Sequence, residues 1–237
     1  MKRFLQIGFV TASLLIASRG LQAQGAKPLF EEKFSSAKVG EVPESFMVLD
    51  GQFAVRDEEG NRFLELPGAP LESFGVLFGP NESDGVEVTA RILSTKSGRK
   101  FPTFAVGLNG VGGYKVRVAP AKNALELVKG DDIKASVPLK WTSGQWTQFR
   151  LSVRKSGTGV RIVAKVWQGD EEPKEAQLQH DESEKLPPGK AGVWGMPFSG
   201  TPIRFDDLRI TAAPCLATAV ARRCDALDRG PMGSASL

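Results

Sequence analysis

The chain has 237 residues, 31 Lys and Arg against 27 Asp and Glu, and a single His. That length suits one domain with a sizeable core. The near balance of charge gives no general reason to expect a nucleic-acid partner, and no His/Cys group has zinc-site spacing.

At the start, Lys2 and Arg3 precede an apolar run, Phe4 to Ala17, broken only by Gln6, Gly8, Thr11 and Ser13. Leu21-Gln22-Ala23 then ends in a small residue. This is the plan of a secretory signal peptide over residues 1–23, and it predicts cleavage near Ala23 and a secreted or periplasmic protein. The run is too short to span a bilayer as a stable helix, so no membrane span is expected in the mature chain. No Cys stands near the cleavage region, which argues against a lipoprotein. Loss of Lys2, Arg3 and Arg19, with no acid, leaves 28 bases against 27 acids.

From Leu29 onward the pattern has period two. "FAVRD" and "RFLELPG" flank Glu58-Glu59-Gly60-Asn61, a hairpin turn. "GVEVTARI" puts Val86, Val88, Ala90 and Ile92 on one face. Tyr114, Val116 and Val118 alternate with Lys115 and Arg117; Gly110, Gly112 and Gly113 before them read as a tight turn, because no helix follows to bind phosphate. Phe149, Leu151 and Val153 alternate with Arg150, Ser152 and Arg154. Val160, Ile162, Ala164 and Val166 alternate with Arg161, Val163, Lys165 and Trp167. Short strands punctuated by Gly, Pro, Asn and Asp, with no helical apolar stripe, predict an all-β sandwich or barrel.

"GQWTQFRLSV", "VAKVWQGDEEP" and "PPGKAGVWGMPFSGTPIRFDDLRI" resemble the second half of a concanavalin A-like (laminin-G-like) jelly roll, and "LFEEKFSSAKVGEVPESFMVLDGQFAV" resembles its first strands. The likeness is to the bacterial group related to family 16 glycoside hydrolases and 3-keto-disaccharide hydrolases. It covers roughly residues 29–211 and implies a two-sheet antiparallel jelly-roll sandwich, a fold that hosts enzymes, lectins and accessory modules alike. The Ala-rich remainder, 212–237, is uncovered. Leu216 to Leu227 could form a short helix, and Cys215 and Cys224, both in this tail, have the redox setting for a disulfide if the chain is exported.

The Glu-x-Asp-x-x-Glu run typical of family 16 hydrolases is missing. Asp84 and Glu87 are the nearest acids, and two-carboxylate hydrolysis needs a pair flanking one bond. His180, in "QLQHDESEK", reads as a solvated loop residue. Trp141, Trp146, Trp167 and Trp194 are either core residues or sugar platforms. Trp146 reads as core, and Trp194, between Val193 and Gly195, fits both. Trp167 shares its strand face with Arg161 and Lys165, and adjacent strands add Arg150, Arg154, Lys115 and Arg117. A basic outward face with one tryptophan suits a neutral or acidic sugar, so Trp167, Arg161 and Lys165 are the expected ligand contacts.

In "IRFDDLRIT", Ile203 and Phe205 are in step, and so are Leu208 and Ile210, but on opposite parity. A bulge at Asp206-Asp207 reconciles them. In "LFEEKF", Glu32 falls between Phe30 and Phe34, where a core should be. The resemblance implies that the first and last strands lie side by side, as they do where such folds often hold a structural calcium ion, with Glu32 and Asp206 as ligands and Asp207 either a further ligand or facing water. The competing expectation is an ion pair between Glu32 and a base such as Arg204 or Arg209, with the acids of the last strand capping a sheet edge. Together these readings point to a secreted, non-catalytic β-sandwich that binds carbohydrate, such as a cell-envelope glycan, or serves as an interaction module. A glycan or keto-sugar hydrolase with an atypical acid pair, and a structural envelope protein, stand beside it.

Overall fold

The computed structural model describes residues 27–69 and 72–213. The expected signal peptide, both cysteines and all but the first two residues of the 212–237 tail lie outside them. The alternating segments form fifteen strands: β1 (Phe30–Glu32), β2 (Met47–Asp50), β3 (Ala54–Glu58), β4 (Asn61–Leu66), β5 (Phe74–Glu82), β6 (Val86–Leu93), β7 (Thr103–Leu108), β8 (Tyr114–Ala119), β9 (Ala124–Lys129), β10 (Asp132–Pro138), β11 (Thr147–Ser156), β12 (Gly159–Gln168), β13 (Leu178–Glu182), β14 (Gly189–Met196) and β15 (Ile203–Ala212). The only helical segment among the described residues is a 3-10 turn, Pro120–Lys122.

Sheet I has eight strands in the order β13-β12-β11-β6-β15-β4-β3, with β1 also paired to β15. Sheet II has seven, in the order β10-β9-β8-β7-β14-β5-β2. Every pairing is antiparallel. The β3–β4 hairpin turns on Glu59 and Gly60, both at positive φ (54° and 83°), as a tight turn matched to strand twist requires.

The two sheets close on one core. Val88 and Ile92 of β6, Val116 and Val118 of β8, Leu151 and Val153 of β11, and Val160 and Ile162 of β12 are all fully buried. Each apolar parity read from the sequence thus faces inward, because a half-buried strand buries alternate residues. At one end Phe30, Phe34, Phe46 and Phe78 pack ring against ring, with centroids 5.3–5.9 Å apart.

β15 contains the expected bulge. Its register against β6 shifts between Asp206 and Arg209, and Asp207 sits at φ 49°. The bulge lets Ile203, Phe205, Leu208 and Ile210 all face the core. It also marks a change of partner. On its second edge β15 pairs with β4 up to Phe205 and with β1 from Leu208.

At the far edge the sheets are tied by a polar clamp. Glu182 on β13 accepts a hydrogen bond from the Tyr114 hydroxyl on β8 (2.8 Å) and one from Lys129 Nζ on β9 (3.0 Å). His180, expected in a solvated loop, lies instead on β13, half-buried, with its ring 5.5 Å from that of Tyr114. Lys129, then Tyr114, hold the Glu182 carboxyl down at about 2, from an ordinary value of 4.5. A carboxylate whose pKa is depressed by folding stabilises the fold above its unfolded pKa and loses that contribution as the pH falls through the folded one. Between about pH 4.5 and 2 this clamp is therefore expected to lose about 1–2 kcal/mol, after solvent screening. Urea unfolding across that range should give a smaller loss of stability for Glu182→Gln than for the parent. Equal slopes would remove Glu182 from the acid response.

Candidate functional site

The most developed site lies on the outer face of sheet II. On β14 the alternation turns Ala191 and Val193 inward and Gly192, Trp194 and Met196 outward. Glycine neighbours, which lack Cβ atoms, let an indole lie flat on a sheet. Trp194 pairs with Gly75 of β5 and Ala105 of β7, and Gly192 pairs with Gly107 of β7. A Cβ on Gly75, Gly107 or Gly192 would come within 2.5, 2.7 and 2.7 Å of the indole. Three glycines on three adjacent strands thus form a slot, and Trp194 fills it with only 7% of its surface exposed.

Lys115 on β8 closes over the ring, with Nζ 4.4 Å from its centroid. Burial draws the Lys115 pKa down, aided by the Arg117 charge and opposed by Asp131. Arg117 donates two hydrogen bonds to Glu126 Oε2 (2.8 and 2.6 Å), and Lys122 donates to Oε1 (3.0 Å). Burial alone would raise the Glu126 carboxyl, but Lys122 and Arg117 outweigh it and hold it low. Beside Lys115 and Arg117 is a cavity of about 180 Å³, lined by Trp194, Thr103, Asp131 and Met196 among others. An apolar floor ringed by donors and one carboxylate suits a polyhydroxylated ring. Asp131 is the only acid among the described residues that line the cavity.

Trp167, Arg161 and Lys165 share the outer face of sheet I, as their parity requires, and Trp167 is half-buried there. Lys115 and Arg117 are not with them, because β8 belongs to sheet II. The sheet I cations are matched by acids. Arg161 is held by both oxygens of Asp181 (2.7 and 2.9 Å), and Lys165 by Glu172 and the Lys174 carbonyl (both 3.1 Å). Arg150 bridges Glu87 and Glu172. Arg150, Arg154 and Lys165 line a cavity of about 260 Å³ with Glu87 and Glu172, and neither Arg161 nor Trp167 is among its described lining residues. Trp146, expected in the core, is instead half-exposed beneath the Arg91 guanidinium, 4.5 Å from its ring centroid. It shares outward parity with Gln148.

The acidic pair is answered by an arginine. Asp206 is 1% exposed; its Oδ2 accepts from Arg91 Nη2 (2.6 Å) and its Oδ1 from the Asp207 amide (2.7 Å). Arg91 Nε stands 2.9 Å from Asp207 Oδ2, so one guanidinium spans both acids. Burial still pushes the Asp206 carboxyl up, against the pull of the Asp207 amide and Arg91. Glu32 does not join them. Its Oε1 accepts from the Phe34 amide (2.6 Å), where the chain turns at φ 57°. Arg204 is engaged by Glu58 and Glu65 instead of Glu32. No group of three or more His, Cys, Asp or Glu among the described residues could hold a metal. A calcium ion asks for six to eight oxygens, and this arrangement does not fit one, because Arg91 already supplies the positive charge.

Sequence reasoning left Trp194 open and missed its setting. "AGVWGM" carries the local signal, a tryptophan at outward parity beside glycines, but Gly75 and Gly107 join it only through the register of β5 and β7.

No family model matches the chain, and no curated protein matches it. Solved structures do. A Bacillus subtilis protein of unknown function with a galectin-like fold aligns at 11% identity and TM-score 0.54, covering 73% of this chain and 91% of its own. The metal-free carbohydrate recognition domain of Emp46p aligns at 11% identity and TM-score 0.53, over 77% and 99%. A xylan β-1,4-xylosidase from Bacillus halodurans C-125 aligns at 13% identity and TM-score 0.54, over 76% of this chain but 38% of the enzyme. At such identities the likeness is one of fold, a lectin-like jelly-roll sandwich.

Proposed function

We propose that this protein is a carbohydrate-binding β-sandwich whose glycan lies on the outer face of sheet II, over Trp194. The observation that carries the reading is the glycine slot, which seats an indole beneath Lys115 as the floor of a polar-rimmed cavity. Neighbours described as galectin-like and as a carbohydrate recognition domain support it by fold. Kinship with family 16 hydrolases rests on the sequence motifs alone. The face bearing Trp167, Arg161 and Lys165 is the alternative contact.

A glycan array on the purified protein, followed by calorimetry, tests this. Lys115→Met keeps the aliphatic cover of the indole and removes the charge. It should weaken the best glycan about tenfold, whereas Trp167→Ala should change it less than about twofold. The reverse pattern would move the site to sheet I.

We further propose that the chain is exported and meets a cell-envelope or extracellular glycan. No helix among the described residues is long and apolar enough to cross a membrane. Mass spectrometry of exported material should find a new N-terminus close after Ala23, and an intact Met1 would refute cleavage.

A further inference from the structure

The loop between β6 and β7, Ser94 to Pro102, holds Lys96, Arg99 and Lys100 and no acid. All three cations are exposed. Among the described residues none of them has a carboxylate within ion-pair distance, whereas Arg62, Arg91, Arg117, Arg150, Arg161 and Arg204 each do. Unpaired cations gathered on one hairpin are a standing attraction for an anion.

The hairpin is also built to stay in place. Ser97 and Lys100 exchange backbone hydrogen bonds of 3.0 Å around Gly98, which sits at φ 58°. The Lys96 amide donates to Ser143 Oγ (2.9 Å), and the Thr95 carbonyl accepts from Thr201 Oγ1 (2.6 Å). The backbone that carries the cations is thus anchored from two neighbouring loops, which lowers the part of the ordering cost that the main chain would otherwise add.

Beside the hairpin is a cavity of about 720 Å³, lined by Arg99, Lys100, Phe101, Phe198, Ala69 and Gly200 among others, none of them acidic. It shares no lining residue with the Trp194 cavity, but the chain links the two. Thr103 and Met196 pair in register and line the Trp194 cavity, and Phe101 and Phe198 lie two residues beyond them on the same two segments. A chain of sugar units crossing Trp194 toward this end of sheet II reaches two phenyl rings and then two cations. At the other end of that path, Lys115 presents a second ammonium without a hydrogen-bonded carboxylate among the described residues.

We propose that the ligand is an acidic glycan, with a sulfate or carboxylate group held by Arg99 and Lys100 while a neighbouring unit occupies the Trp194 cavity. The inference rests on the carbohydrate-binding reading above and names the class of glycan. Guanidinium and ammonium groups recognise both anions, and their bonds to charged oxygens are stronger than those to neutral ones.

Calorimetry with three probes of equal length separates the outcomes: a heparin-derived hexasaccharide, hexagalacturonate and xylohexaose. One or both acidic probes should bind at least about tenfold more tightly than xylohexaose at low salt, and lose most of that advantage at about 0.3 M salt. The heparin and galacturonate arms tell sulfate from carboxylate. Arg99→Ala/Lys100→Ala should cost the acidic probe about tenfold or more and xylohexaose several-fold less than that. Melting should not shift, since both side chains are exposed. Equal binding of xylohexaose, or full retention of acidic-probe affinity in the double variant, would overturn the acidic ligand while leaving carbohydrate binding intact. Equal binding of a single-stranded DNA hexamer would replace a glycan with a general polyanion site. Failure of every glycan would overturn both this inference and the reading it rests on.

Discussion

Trp194→Ala is expected to abolish glycan binding and to lower the unfolding free energy by about 3–5 kcal/mol. The size follows from how the indole is seated. It lies on Gly75, Gly107 and Gly192, and only 7% of it is exposed. Truncation removes a large apolar surface and leaves a hollow floored by backbone. Glycines have no side chains to move into it, so the slot cannot collapse as a flexible core can. Lys115 would lose the ring that its ammonium faces at 4.4 Å. Trp194→Phe separates the two effects. It refills part of the slot, and should recover much of the stability but little of the affinity, because the cavity floor changes shape. Urea unfolding and calorimetry on the three proteins check this. A loss below about 1 kcal/mol for the alanine variant would mean that the slot closes and that the indole is no fixed floor.

Asp206→Ala should cost about 2–4 kcal/mol, because it leaves Arg91 facing a void where a carboxylate stood. Arg91 keeps Asp207 at 2.9 Å and is partly exposed, which holds the loss below that of a fully buried pair. Asp206→Asn preserves an oxygen for the Asp207 amide and should cost less. Burial raises the Asp206 pKa, so the sign of its pH dependence is opposite to that of Glu182. Its contribution is greatest below the unfolded pKa and declines as the pH rises through the folded one. Chemical unfolding at several pH values measures both variants. Calcium should leave the melting temperature of the parent unchanged. A concentration-dependent rise lost in Asp206→Ala would instead assign the acids to a metal.

The strand content was legible in the sequence because alternation in water-facing sheets is a local signal. Val86 to Ile92, Tyr114 to Val118 and Val160 to Val166 each declare one apolar face, and each of those faces is buried. The bulge was legible for the same reason: Phe205 and Leu208 cannot share a face without an extra residue between them. Trp146 was misread because one residue of parity separates core from surface, and its neighbour Thr147 took the buried place. Charge partners were not legible at all. Arg91 and Asp206 are 115 positions apart, and only the β6–β15 pairing brings them to 2.6 Å. Through it, acids that looked like a cation site became one half of an ion pair.

The sequence by itself determined the class of fold and the inward face of most strands, since both follow from period-two patterning within single segments. Only the tertiary structure decided which face carries the candidate site. Lys115 and Lys165 have the same local pattern, a cation alternating with apolar residues. Sheet order sends one to the glycine-seated Trp194 and the other to Glu172. Gly75, Gly107 and Gly192 are ordinary glycines until register aligns them on three neighbouring strands. A slot for an indole is a property of that alignment, and no single segment contains it.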